Sequence, residues 1–153
     1  MSPLKERLRA DLTASMKDRD EVRTRTLRMV LTEISKEEVA GSAARELDDA
    51  EVERVIAREA KRRREAAEAF SDAGRAEQAT AERAEGQVLA EYLPAQLDDA
   101  ELAGLVASAI AESGASGLGG MGLVMKTVTP RVAGRGEGAR VAAEVRRQLA
   151  AGS

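Results

Sequence analysis

The residues with the clearest potential for chemistry lie between Ser116 and Leu149, where glycine and basic side chains concentrate and acids are scarce. Six cations and only two carboxylates, Glu137 and Glu144, fall in this stretch, so its formal charge is +4. The rest of the chain holds 18 basic and 25 acidic residues, a formal charge of −7. The six cations are Lys126, Arg131, Arg135, Arg140, Arg146 and Arg147.

Glycines divide this basic stretch into two short helical patterns. Gly122 belongs to a first cluster, while Gly134, Gly136 and Gly138 form a second cluster around Arg135. Glycine allows positive φ and close backbone approach, and helix ends beside guanidinium groups suit phosphate. The spacing matches neither GxGxxG after a strand nor GxxxxGK[ST]. Phosphate binding and an ordinary solvated face with glycine caps and turns therefore both stay open.

The composition excludes several kinds of catalytic site. The chain contains no Cys and no His, which removes Cys/His zinc sites, thiol nucleophiles and Ser-His-Asp relays. We identify no carboxylate pair placed for acid–base work, so we expect no catalysis, cofactor or metal from this chain alone. Phe70 and Tyr92 are the only aromatic residues, too few for a platform on which bases stack.

The charge and hydropathy patterns predict a cytoplasmic protein that does not associate with membranes. No run approaches 18 apolar residues, and the N-terminus is amphipathic, unlike the apolar region of a signal peptide. A net charge of −3 argues against general coating of nucleic acid, although a local basic face can still bind phosphate.

The sequence predicts an all-α chain, with four helices before Pro94 and three after it that position the basic stretch. Apolar residues recur at helical spacing and never alternate for long as in a strand. We predict an N-terminal helical domain over 1–94 and a three-helix domain over 95–153. Pro94 stops the fourth helix, and Asp98 caps the fifth with Leu97 placed to pack on Leu102.

The N-terminal domain is predicted to contain one long charged helix. It begins with Asp48 and Glu51 at capping-box spacing, runs to about Ala73, and places Phe70 among its core-facing residues. Its run Lys61-Arg62-Arg63-Arg64 has two interpretations, a nucleic-acid patch or an ion-paired solvated face. Glutamates at pairing distance on the same helix, Glu59 among them, favour the ion-paired face.

Several blocks together resemble the GatB/YqeY family over nearly the whole chain. The residues Glu91 to Leu97 read EYLPAQL, similar to the family's EYLPxQL hinge. Met121 to Met125 read MGLVM and lead to a proline and a Gly-Arg pair, similar to its C-terminal signature. Further matching blocks are Arg28-Met29, Ala73-Gly74-Arg75, Pro130, Gly134-Arg135 and Gly138.

This resemblance implies a function that the spacing alone does not. The family resembles the tail of the B subunit of the tRNA-dependent amidotransferase, a carbon–nitrogen ligase that uses glutamine as amido-N donor. That tail is a helical appendage that helps to hold tRNA. The catalytic portion of the subunit has no counterpart here, so the resemblance implies a stand-alone tRNA-binding accessory module. The alternative is an adaptor for an aminoacyl-tRNA synthetase, an amidotransferase subunit or another protein.

The chain departs from the family inside the C-terminal signature. Where members often read DMGKVMG, this chain has Gly120 in place of the acid and Leu123 in place of the first lysine, and a lysine appears at Lys126. If the missing lysine serves RNA binding in the family, two outcomes stay open: Lys126 replaces it from a position about one turn further on, or RNA binding is weak or lost.

Overall fold

A computed structural model describes residues 2–152 of the chain. Within these residues there are seven α-helices, a short 3-10 helix over Leu118–Gly120, and no strand. The α-helices are α1 Pro3–Lys17, α2 Glu21–Glu38, α3 Asp49–Asp72, α4 Ala76–Ala90, α5 Asp99–Ser113, α6 Met121–Val132 and α7 Gly138–Ala151. The predicted all-α class, with four helices before Pro94 and three after it, is confirmed.

The chain divides into two compact units on either side of the Leu93–Pro94 bond. The N-terminal unit contains α1 to α4, and the C-terminal unit contains α5 to α7. Each unit buries its own apolar cluster. The N-terminal cluster includes Leu8, Leu27, Val30, Ile34, Leu47, Val52, Ile56 and Leu89. The C-terminal cluster includes Leu97, Leu102, Val106, Val124, Val128, Val132, Val141, Val145 and Leu149.

Acidic and hydroxyl side chains begin the helices as their positions predict. Asp48 accepts from the Glu51 amide at 2.8 Å while the Glu51 carboxylate accepts from the Asp48 amide at 3.0 Å, a complete capping box. Asp98 accepts from the Glu101 amide at 2.7 Å at the start of α5. Leu97 is buried in the same cluster as Leu102, as a residue that fixes this helix start must be.

The end of α4 differs from the prediction. The α-helix stops at Ala90, ahead of Pro94, and two backbone turns follow, from Tyr92 N–H to Leu89 O and from Leu93 N–H to Ala90 O. A residue that precedes proline is driven out of the helical region, so the helix has to end before Leu93. In α3, Phe70 is only partly buried, because it lies in the last turn of that helix.

Tyr92 fixes the residues that follow α4. Its buried hydroxyl donates to Asp11 at 2.5 Å and accepts from the Arg23 guanidinium at 3.0 Å. The Arg7 guanidinium lies 4.6 Å from the centre of the ring, within cation–π range. Burial and the bond to Asp11 raise the pKa of Tyr92, so its hydroxyl stays protonated and can keep donating. This residue therefore ties the chain before Pro94 to α1 and α2.

The basic run of α3 forms the ion-paired face that was the favoured interpretation. Arg63 Nε lies 2.8 Å from a Glu85 carboxylate oxygen and 3.6 Å from one of Glu82, both on α4. Glu59 is 1 % exposed and accepts from Arg62 at 3.1 Å, with Arg63 Nη1 3.9 Å from its other oxygen. Arg63 is thus the central cation of a carboxylate cluster between α3 and α4.

Among residues 2–152, no single helix is both long and apolar enough to cross a membrane. One pair, Asp99–Ser113 with Leu118–Val132, passes the same test by length and composition, although it is bent by 91°.

We predict that Arg63→Met lowers the free energy of unfolding by about 3 kcal/mol, because the substitution leaves a buried carboxylate without its central cation. Urea denaturation of the full chain measures the loss. Lys61→Met is the matched control, since the Lys61 side chain is 52 % exposed and lies 4.0 Å from the exposed Glu65 carboxylate, and it should cost less than about 1 kcal/mol. Equal losses in the two variants would contradict the assignment of Arg63 as the central cation.

Candidate nucleic-acid interface

Helix α6 presents one buried face and one exposed face. Val124, Val128 and Val132 are buried, and their spacing of four residues places them on one side of the helix. Leu123 and Lys126 are exposed and fall on the opposite side. Residues 113–136 contain no acidic side chain, so the only charges in this segment are positive.

The turn between α6 and α7 is shaped by the second glycine cluster. Ala133 and Gly134 follow α6 with φ of 50° and 78°, and a left-handed residue pair of this kind favours glycine. A Cβ atom on Gly136 would lie 3.3 Å from Val132 and 3.4 Å from Val141, tighter than usual packing. Gly134 and Gly136 thus have reasons in the fold, whereas Gly122 and Gly138 have open space around them.

Two of the predicted RNA-contacting arginines hold the C-terminal unit together. The Leu97 amide donates to the Arg135 carbonyl at 2.8 Å, and Arg135 Nε donates to the Ala95 carbonyl at 2.9 Å. Arg140 donates to the Leu97 carbonyl at 2.7 Å and to Asp99 at 2.8 Å. We call this set of hydrogen bonds the 95–140 clasp. It joins the segment before α5 to the turn before α7 and to the first turn of that helix.

Two further predicted cations are paired with carboxylates. Arg131 forms an ion pair with Glu112 at the end of α5. Arg147 donates twice to Glu144, at 2.9 and 2.5 Å, and Gln148 donates to the same carboxylate at 2.9 Å. The bonds from Arg147 and Gln148 lower the pKa of Glu144 to about 2, so this carboxylate stays ionised through the physiological range.

The remaining two predicted cations, Lys126 on α6 and Arg146 on α7, are exposed. Within residues 2–152 neither has an ion-pair or side-chain hydrogen-bond partner. They are therefore the cations that an external phosphate can bind without first breaking an internal pair.

A groove of about 480 Å³ between α5 and α7 brings two of the predicted residues together. Its lining residues are Asp99, Leu102, Ala103, Arg140, Ala143, Glu144 and Arg147. Each arginine in the groove is already paired with a carboxylate there, Arg140 with Asp99 and Arg147 with Glu144. The groove is consequently close to neutral and is not a preformed anion site.

Some of these pairings carry a signal in the sequence and others do not. Glu144 and Arg147 are three residues apart on one helix, a spacing that favours pairing. The bonds from Arg135 to Ala95 and from Arg140 to Leu97 span 40 and 43 residues and end on backbone carbonyls. Backbone carbonyls carry no residue-type signal, so these partners could not have been found from the sequence.

A comparison with known protein families matches most of the chain. The family model described as Yqey-like protein matches residues 5–149, which include parts of both units. The chain belongs to the YqeY-like, or GatB/YqeY, family. The resemblance read from the residues Glu91 to Leu97 and Met121 to Met125 is thereby confirmed. No curated protein matches the chain significantly.

For this YqeY-like chain we predict that Arg140→Ala lowers the stability of the C-terminal unit by about 1 kcal/mol, because a charged donor to the Leu97 carbonyl is lost. Amide hydrogen exchange of residues 95–102 measures the loss locally. Arg146→Ala is the matched control and should leave these amides unchanged. The prediction fails if the exchange rate of these amides does not rise in Arg140→Ala, or if it rises equally in Arg146→Ala.

The low pKa of Glu144 predicts a pH-dependent contribution to stability. A carboxyl whose pKa falls from 4.5 to about 2 on folding stabilises the fold above pH 4.5, and this contribution shrinks as pH falls towards 2. Glu144→Gln should therefore be less stable than the parent chain at pH 7, by about 0.5 kcal/mol for an exposed pair. Urea denaturation at pH 7 and pH 3 should show the difference narrowing at low pH. If the difference in unfolding free energy between the two chains is larger at pH 3 than at pH 7, the predicted pH dependence is wrong.

Proposed function

We propose that this YqeY-like chain is a tRNA-binding accessory module whose C-terminal unit contacts the phosphate backbone of a folded tRNA. One observation carries the proposal. Lys126 and Arg146 are exposed and without internal partners, and Lys126 lies in a segment, 113–136, that has no acidic side chain. Phosphate oxygens therefore meet no nearby repulsion in the sequence around Lys126.

The proposed contact reads shape and phosphate, not base identity. Both aromatic residues, Phe70 and Tyr92, precede Pro94, so the C-terminal unit has no ring on which a base could stack. Contacts to phosphate position a protein on RNA without selecting a sequence. A module of this kind adds affinity for tRNA in general, and any choice between tRNAs has to come from a partner.

The paired arginines can join the contact in an order set by their internal bonds. Asp99, the partner of Arg140, is fully exposed, and exposed ion pairs contribute only about 0 to 1 kcal/mol, so a phosphate can replace it. Arg135 and Arg140 also donate to the backbone carbonyls of Ala95 and Leu97, whereas Arg147 is 65 % exposed and pairs with Glu144 on its own helix. We therefore rank Lys126 and Arg146 first, Arg131 and Arg147 next, and Arg135 and Arg140 last.

A protein-interaction adaptor is the second candidate, and one observation favours it. Leu118 and Leu123 are 55 % and 52 % exposed, and leucine contributes nothing to the binding of phosphate. Binding to a protein partner through such residues should persist at high salt, whereas binding to tRNA should not.

The RNA proposal predicts a salt-dependent affinity for bulk tRNA that depends on Lys126 and Arg146. We expect Lys126→Glu with Arg146→Glu to weaken binding at least tenfold at low salt. The magnitude of the slope of log affinity against log salt should fall by about 1.4 to 1.8, because each of the two lost phosphate contacts removes about 0.7 to 0.9. Fluorescence anisotropy with labelled tRNA between 50 and 300 mM salt measures both quantities.

The matched control is Arg54→Glu with Arg83→Glu, which changes the net charge equally at exposed positions of the N-terminal unit. This control should retain most of the affinity and the full slope. Equal weakening in both double variants would mean that net charge alone governs binding, and no binding at 50 mM salt would reject the RNA proposal. The arginines of the 95–140 clasp are left intact, so that loss of binding is not confused with loss of folding.

A further inference from the structure

The 3-10 helix and the first turns of α6 expose an apolar surface that no part of the described chain covers. Leu118 and Leu123 are two of the four large apolar side chains that are well exposed within residues 2–152. Met121 and Met125 are partly buried and pack against the C-terminal core. Exposed leucines grouped within six residues differ from singly scattered ones, which need no explanation.

Between the two leucines the surface has almost no side chains, and the fold explains only some of the glycines. Gly117 needs its φ of 65°, and a Cβ on Gly120 would lie 2.7 Å from the Ala115 Cβ. Gly119 and Gly122 have ordinary φ and open space where a Cβ would be. Glycine weakens a helix relative to alanine, so neither position gains stability from being glycine. We call the backbone of Gly119 and Gly122, which carries no side chain next to Leu118 and Leu123 in the sequence, the glycine floor.

The charged residues within the segment 113–136 have one sign. Lys126 lies one turn beyond Gly122 on the exposed side of α6 and has no internal partner. Because residues 113–136 contain no acid, a partner that lies along the floor meets a positive charge at its edge and no negative charge from this segment. Charge complementarity thus favours an acidic occupant.

An amphipathic helix of another protein fits these features better than RNA or a second copy. RNA would meet a single unpaired cation, two leucines and no aromatic ring, whereas tight nucleic-acid binding needs several neutralised phosphates. Two copies that paired this face symmetrically would bring two Lys126 charges into one interface, with no acidic residue of segment 113–136 to pair with either of them. A helix lays apolar anchors at i, i+3 or i+4 into an apolar surface, and the glycine floor lets its backbone approach closely.

We propose that Leu118, Gly119, Gly122, Leu123 and Lys126 form a docking face for an acidic amphipathic helix of a partner protein. Leu118 and Leu123 contact the apolar side chains of that helix, and Lys126 forms an ion pair with a carboxylate on the polar side of the helix. The proposal goes beyond tRNA binding and does not depend on it, because the leucines and the glycine floor contribute nothing to phosphate recognition.

The test selects phage-displayed, randomised helical peptides on the full chain and measures the recovered peptides by fluorescence anisotropy. We expect peptides with apolar residues at helical spacing and a net negative charge. Leu118→Ser with Leu123→Ser should weaken their binding at least tenfold, whereas Val39→Ser, at an exposed apolar residue of the N-terminal unit, should not. Lys126→Glu should weaken the binding of acidic peptides and should strengthen the binding of versions in which lysine replaces their carboxylates.

A second variant separates loss of the surface from loss of the fold. Gly122→Ala should add a methyl group to the floor without internal clash, because no atom lies within 4 Å of its Cβ position. We expect it to keep or increase the thermal stability of the chain and to weaken peptide binding.

Four results would overturn the proposal. The first is that no recovered peptide depends on the two leucines, and the second is that the recovered peptides are neutral or basic. The third is self-association of the chain that is lost in Leu118→Ser with Leu123→Ser, which would make a second copy the occupant. The fourth is tRNA binding that is lost in the same variant, which would make RNA the occupant.

Discussion

The C-terminal unit depends on the 95–140 clasp. The segment between Pro94 and α5 has no helix of its own, so its carbonyls and amides need partners from elsewhere in the chain. Arg135 supplies a carbonyl to the Leu97 amide and a guanidinium to the Ala95 carbonyl. Arg140 bonds the Leu97 carbonyl. With Leu97 held in this way, its side chain lies in the core and Asp98 can begin α5, so these bonds join the start of α5 to the start of α7.

The clasp also shows why a count of cations overestimates the charge that is available to a ligand. The stretch from Ser116 to Leu149 carries six cations and two acids. Glu112 and Asp99 lie outside the stretch and yet pair with Arg131 and Arg140. A formal charge describes the sequence window, whereas a ligand meets the folded surface, on which acids from α5 lie beside the arginines. Only Lys126 and Arg146 remain without such partners in the described chain.

The parts of the fold that could be predicted from the sequence are those set by local chemistry. Asp48 with Glu51 and Asp98 mark helix starts because a capping bond spans three residues, and the apolar spacing of Val141, Val145 and Leu149 marks the buried face of α7. The remainder rests on contacts between distant residues. Neither the pairing of Arg63 with Glu85 on α4 nor the bond from Arg135 to the Ala95 carbonyl has a signal at short range. The candidate site was therefore predicted by residue type, while its division into paired and unpaired cations required the structure.

The two proposals place different demands on the exposed surface of α6. The affinity for phosphate rises with every additional cation and falls with salt. Leu123 stands where the family pattern often has a lysine, so it lowers this affinity. The affinity for a partner helix rises with apolar contacts and close backbone approach. Leu123 beside Gly122 therefore favours docking more than a lysine at that position would. Leu123 thus favours docking at the expense of phosphate binding, whereas Lys126 serves both functions on the same helix face. Since Arg146 lies on α7 and carries no part of the docking face, RNA contact through Arg146 and helix docking on α6 are compatible in one chain, with Lys126 as the residue for which they compete.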